Sequence, residues 1–192
     1  MLNSLRKVAA GFHLRMLKRK FEPVAFSLPA DMSDVSNILV CLPPGQRQLT
    51  MVKELLPDLT RIFDKSEIYL MASPARSVYD IFPRKGYRIM TPASGHVSWS
   101  GLATKSYIEL LKENKYDLIL DLNLYPNRFT QSILLSFPEA IRIGNRNGLG
   151  TPYYNIEIKT RFVRDEKKIY RSIMDTIDRL KNPAQSNNNI HA

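Results

Sequence analysis

The chain has 192 residues and a mass of 22.1 kDa, enough for one α/β domain with a full hydrophobic core. Apolar residues make up 44% and charged ones 24%, which excludes a globally disordered chain. The single cysteine, Cys41, excludes a disulfide framework, and three scattered histidines supply no metal centre, so neither metal nor cofactor is expected. Twenty-eight bases against 18 acids leave a net charge of +10, which points to an anionic partner.

Residues 1–21 hold Arg6, Lys7, Arg15, Lys18, Arg19 and Lys20 and no acid, so this segment carries +6 of the +10. Leu5, Val8, Ala9, Phe12 and Met16 recur at helical spacing and predict a basic amphipathic helix. His13, Arg15 and the run Lys18-Arg19-Lys20 interrupt any apolar stretch, which argues against a cleaved export signal. Two readings stay open for this helix. It lies on an anionic membrane surface, or it packs on the domain or on a partner in a larger protein assembly. A mitochondrial-type presequence also fits an acid-free basic segment. No run of about 18 apolar residues is present, so no helix is expected to cross a membrane. The expected location is the cytoplasm, peripheral at the inner face of the membrane.

Residues 22–36 read as a linker, broken by Pro23 and Pro29 and rich in Asp and Ser. A buried strand follows at 37–42, then the turn Pro43-Pro44-Gly45 and a helical pattern over 48–63, with Pro57 expected to kink or restart it. Strand two is expected at 67–72, a short helix at 75–81 and a weak third strand at 87–90. Ser100 is a plausible N-cap for a helix near 101–114. The run DLILDL within 115–122 is a strand, and a helix over 127–136 ends before a strand at 140–144. A Gly/Asn loop, a strand at 154–158 and a long helix over 162–180 complete the domain. Residues 182–192 are polar, Asn-rich and expected to be disordered.

Strands alternating with helices predict a single Rossmann-like, doubly wound, mainly parallel sheet over 37–181. Such a sheet binds ligands beyond the carboxyl ends of its strands. The loops to inspect are therefore 43–48, 72–76, 91–99, 121–128 and 144–151. The first holds Gly45, Gln46 and Arg47 but neither a Walker lysine nor a three-glycine fingerprint. A helix N-terminus behind it, with Arg47, can hold an anion. Asn127 and Arg128 can contact an acceptor phosphate, and Arg142, Asn145 and Arg146 form a basic strand end. Asp121 ends a strand at the crevice and is a candidate base or sugar ligand, or a residue that bonds the loop after it. His96 and Trp99 lie in a loop where sugar stacking is natural, and Cys41 reads as a buried apolar residue. Lys159, Arg161, Arg164, Lys167, Lys168 and Arg171 read as a solvated helix face. No aromatic strand motif or helix-turn-helix accompanies them, which disfavours nucleic acid as the partner.

The run ILVCLPPGQRQLT, the segment EIYLMAS, Tyr116-Asp117-Leu118-Ile119-Leu120-Asp121-Leu122 and Arg142-Ile143-Gly144 occur in that order. With Gly45 and Thr50, this order resembles the N-terminal, acceptor-side half of glycosyltransferase family 9, the lipopolysaccharide heptosyltransferases. The resemblance covers about residues 37–180 and implies a Rossmann-like domain that holds a glycan acceptor. It also implies a second, donor-binding domain, which this chain is expected to lack, so a separate donor-domain chain is a possible partner. The family's aspartate after the first-strand glycine, its implied base, falls on Gln46. A carboxamide accepts no proton near neutral pH. The expectation is a heptosyltransferase-like subunit without independent sugar transfer; the alternative is the acceptor half of a split transferase, with Asp121 as base, and a second alternative is a basic nucleic-acid-binding protein.

Overall fold

The computed structural model describes residues 2–22, 24–28, 30–74, 78–83, 85–146, 148–162 and 164–183. Six strands, β1 (Asn37–Cys41), β2 (Glu67–Met71), β3 (Arg88–Met90), β4 (Leu118–Asp121), β5 (Ile141–Asn145) and β6 (Ile156–Ile158), form one sheet. Its order is β3-β2-β1-β4-β5-β6 and every neighbouring pair is parallel. This is the doubly wound order, with the chain reversing direction across the sheet between β1 and β4.

Alternation along the strands divides the core into two layers. Ile38 and Val40 of β1, with Leu118 and Leu120 of β4 and Ile141 and Ile143 of β5, face α3 (Gln46–Ile62) and α6 (Glu166–Lys181). Leu39, Cys41 and Ile119 face α4 (Lys105–Lys112) and α5 (Arg128–Leu134). Both faces of the central strands are therefore buried, which is why they read as unbroken apolar runs. Each fully buried aliphatic side chain contributes ~1.5–3 kcal/mol. Tyr116 packs edge-on against Tyr69 with ring centroids 5.2 Å apart. The Asp117 carboxylate accepts the backbone N–H groups of Ser36 and Asn37, each at 2.9 Å, and so ties the start of β4 to the start of β1.

Several elements depart from the expected pattern. Pro57 sits inside one continuous helix, α3, rather than restarting it. Of the short helix expected at 75–81, residues 75–77 lie outside the described set. Residues 78–82 form a turn instead, with Ile81 and Phe82 both donating to the Val78 carbonyl at 3.0 Å. Ser100 does not cap a helix. It pairs its hydroxyl with Ser98 at 3.0 Å, and α4 starts four residues later with Thr104 at the N-cap. The stretch 30–36, within the segment read as a linker, is anchored to the core. It contains one helical turn, α2 (Ala30–Ser33), with Met32 and Val35 buried in the core and Lys181 donating to the Met32 carbonyl at 3.0 Å. The tail from 184 onward lies outside the described residues.

The N-terminal helix, α1 (Leu2–Lys20), packs on the α4/α5 side. Its buried residues are Ala10 and Leu14, with Leu17 and Phe21 half-buried. This is a second apolar stripe, spaced 0, +4, +7 and +11. The stripe that dominates the sequence, Leu5, Val8, Phe12 and Met16, faces outward.

Candidate functional site

The carboxyl ends of β4, β5 and β6 open onto a cleft of about 960 Å³ on the α3/α6 face. Arg47 comes from the first turn of α3 and Leu124 and Tyr125 from the loop after β4. Asn145 ends β5 and Arg146 follows it, and Lys159, Thr160 and Arg164 follow β6. Four cations thus line one concavity, and among its described lining residues Glu166 is the sole carboxylate. Glu166 opens α6. It accepts the Gln48 amide at 2.9 Å and lies 3.9 Å from the Arg47 guanidinium. Arg47 itself is 82% exposed, so it remains accessible to a ligand. Clustered like charges raise the local potential for anions.

A second hollow of about 330 Å³ lies at the β1/β4 reversal, lined by Pro44, Gln48, Gly101, Arg128 and the segment between Asn123 and Asn127. Leu124 and Tyr125 line both hollows, and Tyr125 is 72% exposed, a free aromatic face at their boundary. A charged group in the larger hollow and a polar or ring portion in the smaller would lie side by side.

The β1–α3 junction contributes Pro44 and, from the first turn of α3, Arg47 and Gln48 to these walls, and neither Gly45 nor Gln46 lines them. Gly45 is the N-cap of α3 with an ordinary extended backbone. Its use is steric, because a Cβ there would stand 3.0 Å from the Gln48 side-chain oxygen and disturb the amide that holds Glu166. Gln46 is exposed, and its carbonyl accepts the Thr50 hydroxyl at 3.2 Å. Asn127 is occupied as a cap: its side-chain oxygen accepts the N–H groups of Phe129 and Thr130 at 3.0 and 3.3 Å.

Two candidates read from the sequence do not belong to the cleft. Arg142 is 1% exposed, and its guanidinium donates to the carbonyls of Phe137, Pro138, Ala140 and Tyr153 at 2.7–3.3 Å while lying over the Phe21 ring. Burial pulls its pKa down to about 10. It is a structural strut for the chain around β5. Asp121 is also 1% exposed. It accepts the Asn123 N–H at 2.9 Å, the Asn123 amide at 2.7 Å and the Tyr154 hydroxyl at 2.7 Å. Burial raises its pKa, and these three bonds oppose that rise. Asp121 fixes the loop after β4 from below and does not line the cleft.

His96 stacks on Tyr107 with ring centroids 4.6 Å apart, and its Nδ1 accepts the Ala93 N–H. Trp99 lines a different groove, beneath α1, so this pair does not serve the carboxyl-end cleft. Cys41 is fully buried at the end of β1, and burial pushes its thiol pKa up. Lys159 and Arg164, which sequence reasoning assigned to a solvated face, are cleft residues. The signal that finds them is the carboxyl-end rule applied to β6 as well as to the earlier strands.

Among the described residues, no cluster of three or more His, Cys, Asp or Glu side chains can hold a metal ion. No helix among them is long and apolar enough to cross a membrane. No family model matches the chain, and no curated protein matches it.

Proposed function

We propose that this chain is a heptosyltransferase-like, acceptor-side domain that binds an anionic, sugar-bearing ligand in the cleft beyond β4, β5 and β6. It does not transfer sugar on its own, and it works peripherally at the inner face of a membrane or as a subunit of a larger assembly. The observation that carries the ligand class is the convergence of Arg47, Arg146, Lys159 and Arg164 on one concavity beside the strand-order reversal. Tyr125 offers a face for a sugar ring, and the smaller hollow behind it offers the amide of Gln48. The lack of transfer activity follows from the carboxylates. Gln46 occupies the position of the family's implied base, Asp121 is sealed under Tyr154, and Glu166 is held by Gln48 and Arg47. The split-transferase alternative needs Asp121 at the acceptor, and its burial weighs against that role.

Calorimetric titration tests the reading with three probes: a hexose phosphate, the free hexose and inorganic phosphate. The hexose phosphate binds more tightly than either part, and its affinity falls as salt rises. The double variant Arg146→Glu/Lys159→Glu loses about tenfold or more. Hexose phosphate binding that is absent, or unchanged in the double variant, overturns the ligand class. Turnover of nucleotide-activated sugars by the purified chain overturns the claim of no independent transfer.

A further inference from the structure

Beyond the cleft, α1 presents a second exposed surface. Its inner face is fixed to the domain by Ala10 and Leu14, by the Lys18 ammonium 4.4 Å over the Tyr153 ring, and by Phe21 under Arg142. Its outer face carries Leu5, Val8, Phe12 and Met16, exposed at 63, 71, 64 and 42%. At about 100° per residue these four occupy an arc of roughly 80°, opposite the buried stripe, and extend about 16 Å along the axis. Arg15, Arg19 and Lys20, all exposed, lie within or beside that arc. An apolar row of this size that no described residue covers calls for an occupant.

The charges identify the occupant. Residues 1–21 contain six bases and no acid, so a second copy laid on this face would oppose like charges. An anionic bilayer satisfies both halves of the surface, with acyl chains for the row and phosphate headgroups for the bases. Phe12 also lines, with the exposed Trp99, the groove of about 850 Å³ between α1 and α4, which places a tryptophan beside the same face. Tryptophan favours the depth where headgroups meet acyl chains.

We infer that α1 docks flat on an anionic phospholipid surface, with Leu5, Val8, Phe12 and Met16 at the acyl boundary and Arg15, Arg19 and Lys20 on lipid phosphates. Because its inner face stays packed, α1 is a fixed foot of the domain and does not detach to bind. This names the surface and lipid class behind the peripheral attachment proposed above, and it rests on that part of the reading; the cleft stands or falls separately.

Co-sedimentation of the full chain tests it, with vesicles of phosphatidylcholine alone and vesicles enriched in phosphatidylglycerol. The chain binds the anionic vesicles, binding weakens with salt, and emission from Trp99, the chain's single tryptophan, shifts to the blue. Leu5→Ser/Phe12→Ser lowers the vesicle partition about tenfold or more. Arg15→Gln/Arg19→Gln/Lys20→Gln lowers it about fivefold per base. Both variants replace exposed side chains, so their urea midpoints and hexose phosphate binding match wild type, which separates a failure of the foot from a failure of the cleft. Three results overturn the inference. They are equal binding by wild type and the Leu5/Phe12 variant, equal binding to neutral and anionic vesicles, and no vesicle binding by a chain that self-associates through this face.

Discussion

Gly144 is the last glycine before the cleft, and replacing it with alanine probes the packing that supports Asn145 and Arg146. A Cβ at Gly144 would stand 2.3, 2.5 and 2.9 Å from three ring carbons of Tyr154. Carbon atoms at rest lie about 3.5–4.0 Å apart, so the ring must retreat by more than ~1 Å. Tyr154 donates its hydroxyl to Asp121 at 2.7 Å, and that retreat breaks the bond. Overpacking costs about 1–3 kcal/mol, and a buried carboxylate that loses a donor costs a similar amount. Gly144→Ala is therefore destabilising by about 2–5 kcal/mol, or roughly 5–20 °C in Tm for a chain of this length. Urea unfolding followed by circular dichroism measures the shift, with an unchanged slope showing that the denatured state is the same. The mechanism is local to one ring, so Gly144→Ala in a Tyr154→Ala background costs less than about 0.5 kcal/mol, both backgrounds being measured in stabilising sulfate. An equal penalty in the two backgrounds refutes the reasoning, as does a variant as stable as wild type.

Two further substitutions separate structure from function at residues that the sequence offered as site residues. Arg142→Met leaves four carbonyl acceptors short of a donor and lowers stability by about 2–5 kcal/mol, while hexose phosphate affinity, measured by calorimetry on the folded fraction, stays at the wild-type value. Burial holds the Asp121 pKa above its unfolded value, so between those two values the native state binds more protons than the unfolded state and stability falls as pH rises. Asp121→Asn removes that slope. The stability advantage of wild type over the variant, read from urea midpoints, shrinks from acid to neutral pH, and an advantage that grows over that range sinks the assignment.

The fold was legible because a sheet covered on both faces writes itself as short apolar runs, and Ile38–Cys41 and Leu118–Leu120 are such runs. The helices α3 and α6 were legible from their single apolar stripes. The N-terminal helix carries two stripes, and the more prominent one is not the one that packs: Ala10, Leu14 and Leu17 make a shorter stripe that includes an alanine, yet they are the residues that pack into the layer holding α4 and α5. The Ser98–Thr104 turn was not legible. Ser98, Ser100 and Thr104 are all capable caps, and an antiparallel bridge between Val97 and Ala103 selects the last. In the cleft, the carboxyl-end rule picked out Arg47, Arg128, Asn145 and Arg146. The loop after β6 lies outside the loops to which the rule was applied, and Lys159 and Arg164 read instead as part of a solvated helix face.

The alternation that builds the two layers also decides which strand-end residues can meet a ligand. Ile141, Ile143 and Asn145 share one face of β5; Arg142 and Gly144 share the other, so the arginine of the Arg-Ile-Gly motif turns from the cleft by parity. Asp121 shares its face of β4 with Ile119, pairs in register with Gly144 on one side and Cys41 on the other, and is enclosed with Tyr154 in the α4/α5 layer. Moving Asp121 or Arg142 to the α3/α6 face requires a one-residue slip of its own strand, which would carry Leu118 and Leu120, or Ile141 and Ile143, into the wrong layer. A proton acceptor for chemistry in this cleft must therefore come from α3, α6 or the loops over them. The carboxylate they provide among the cleft's described lining residues is Glu166, already engaged by Gln48 and Arg47. Strand parity thus leaves four cations and one carboxylate among the cleft's described lining residues, a balance that favours an anion there.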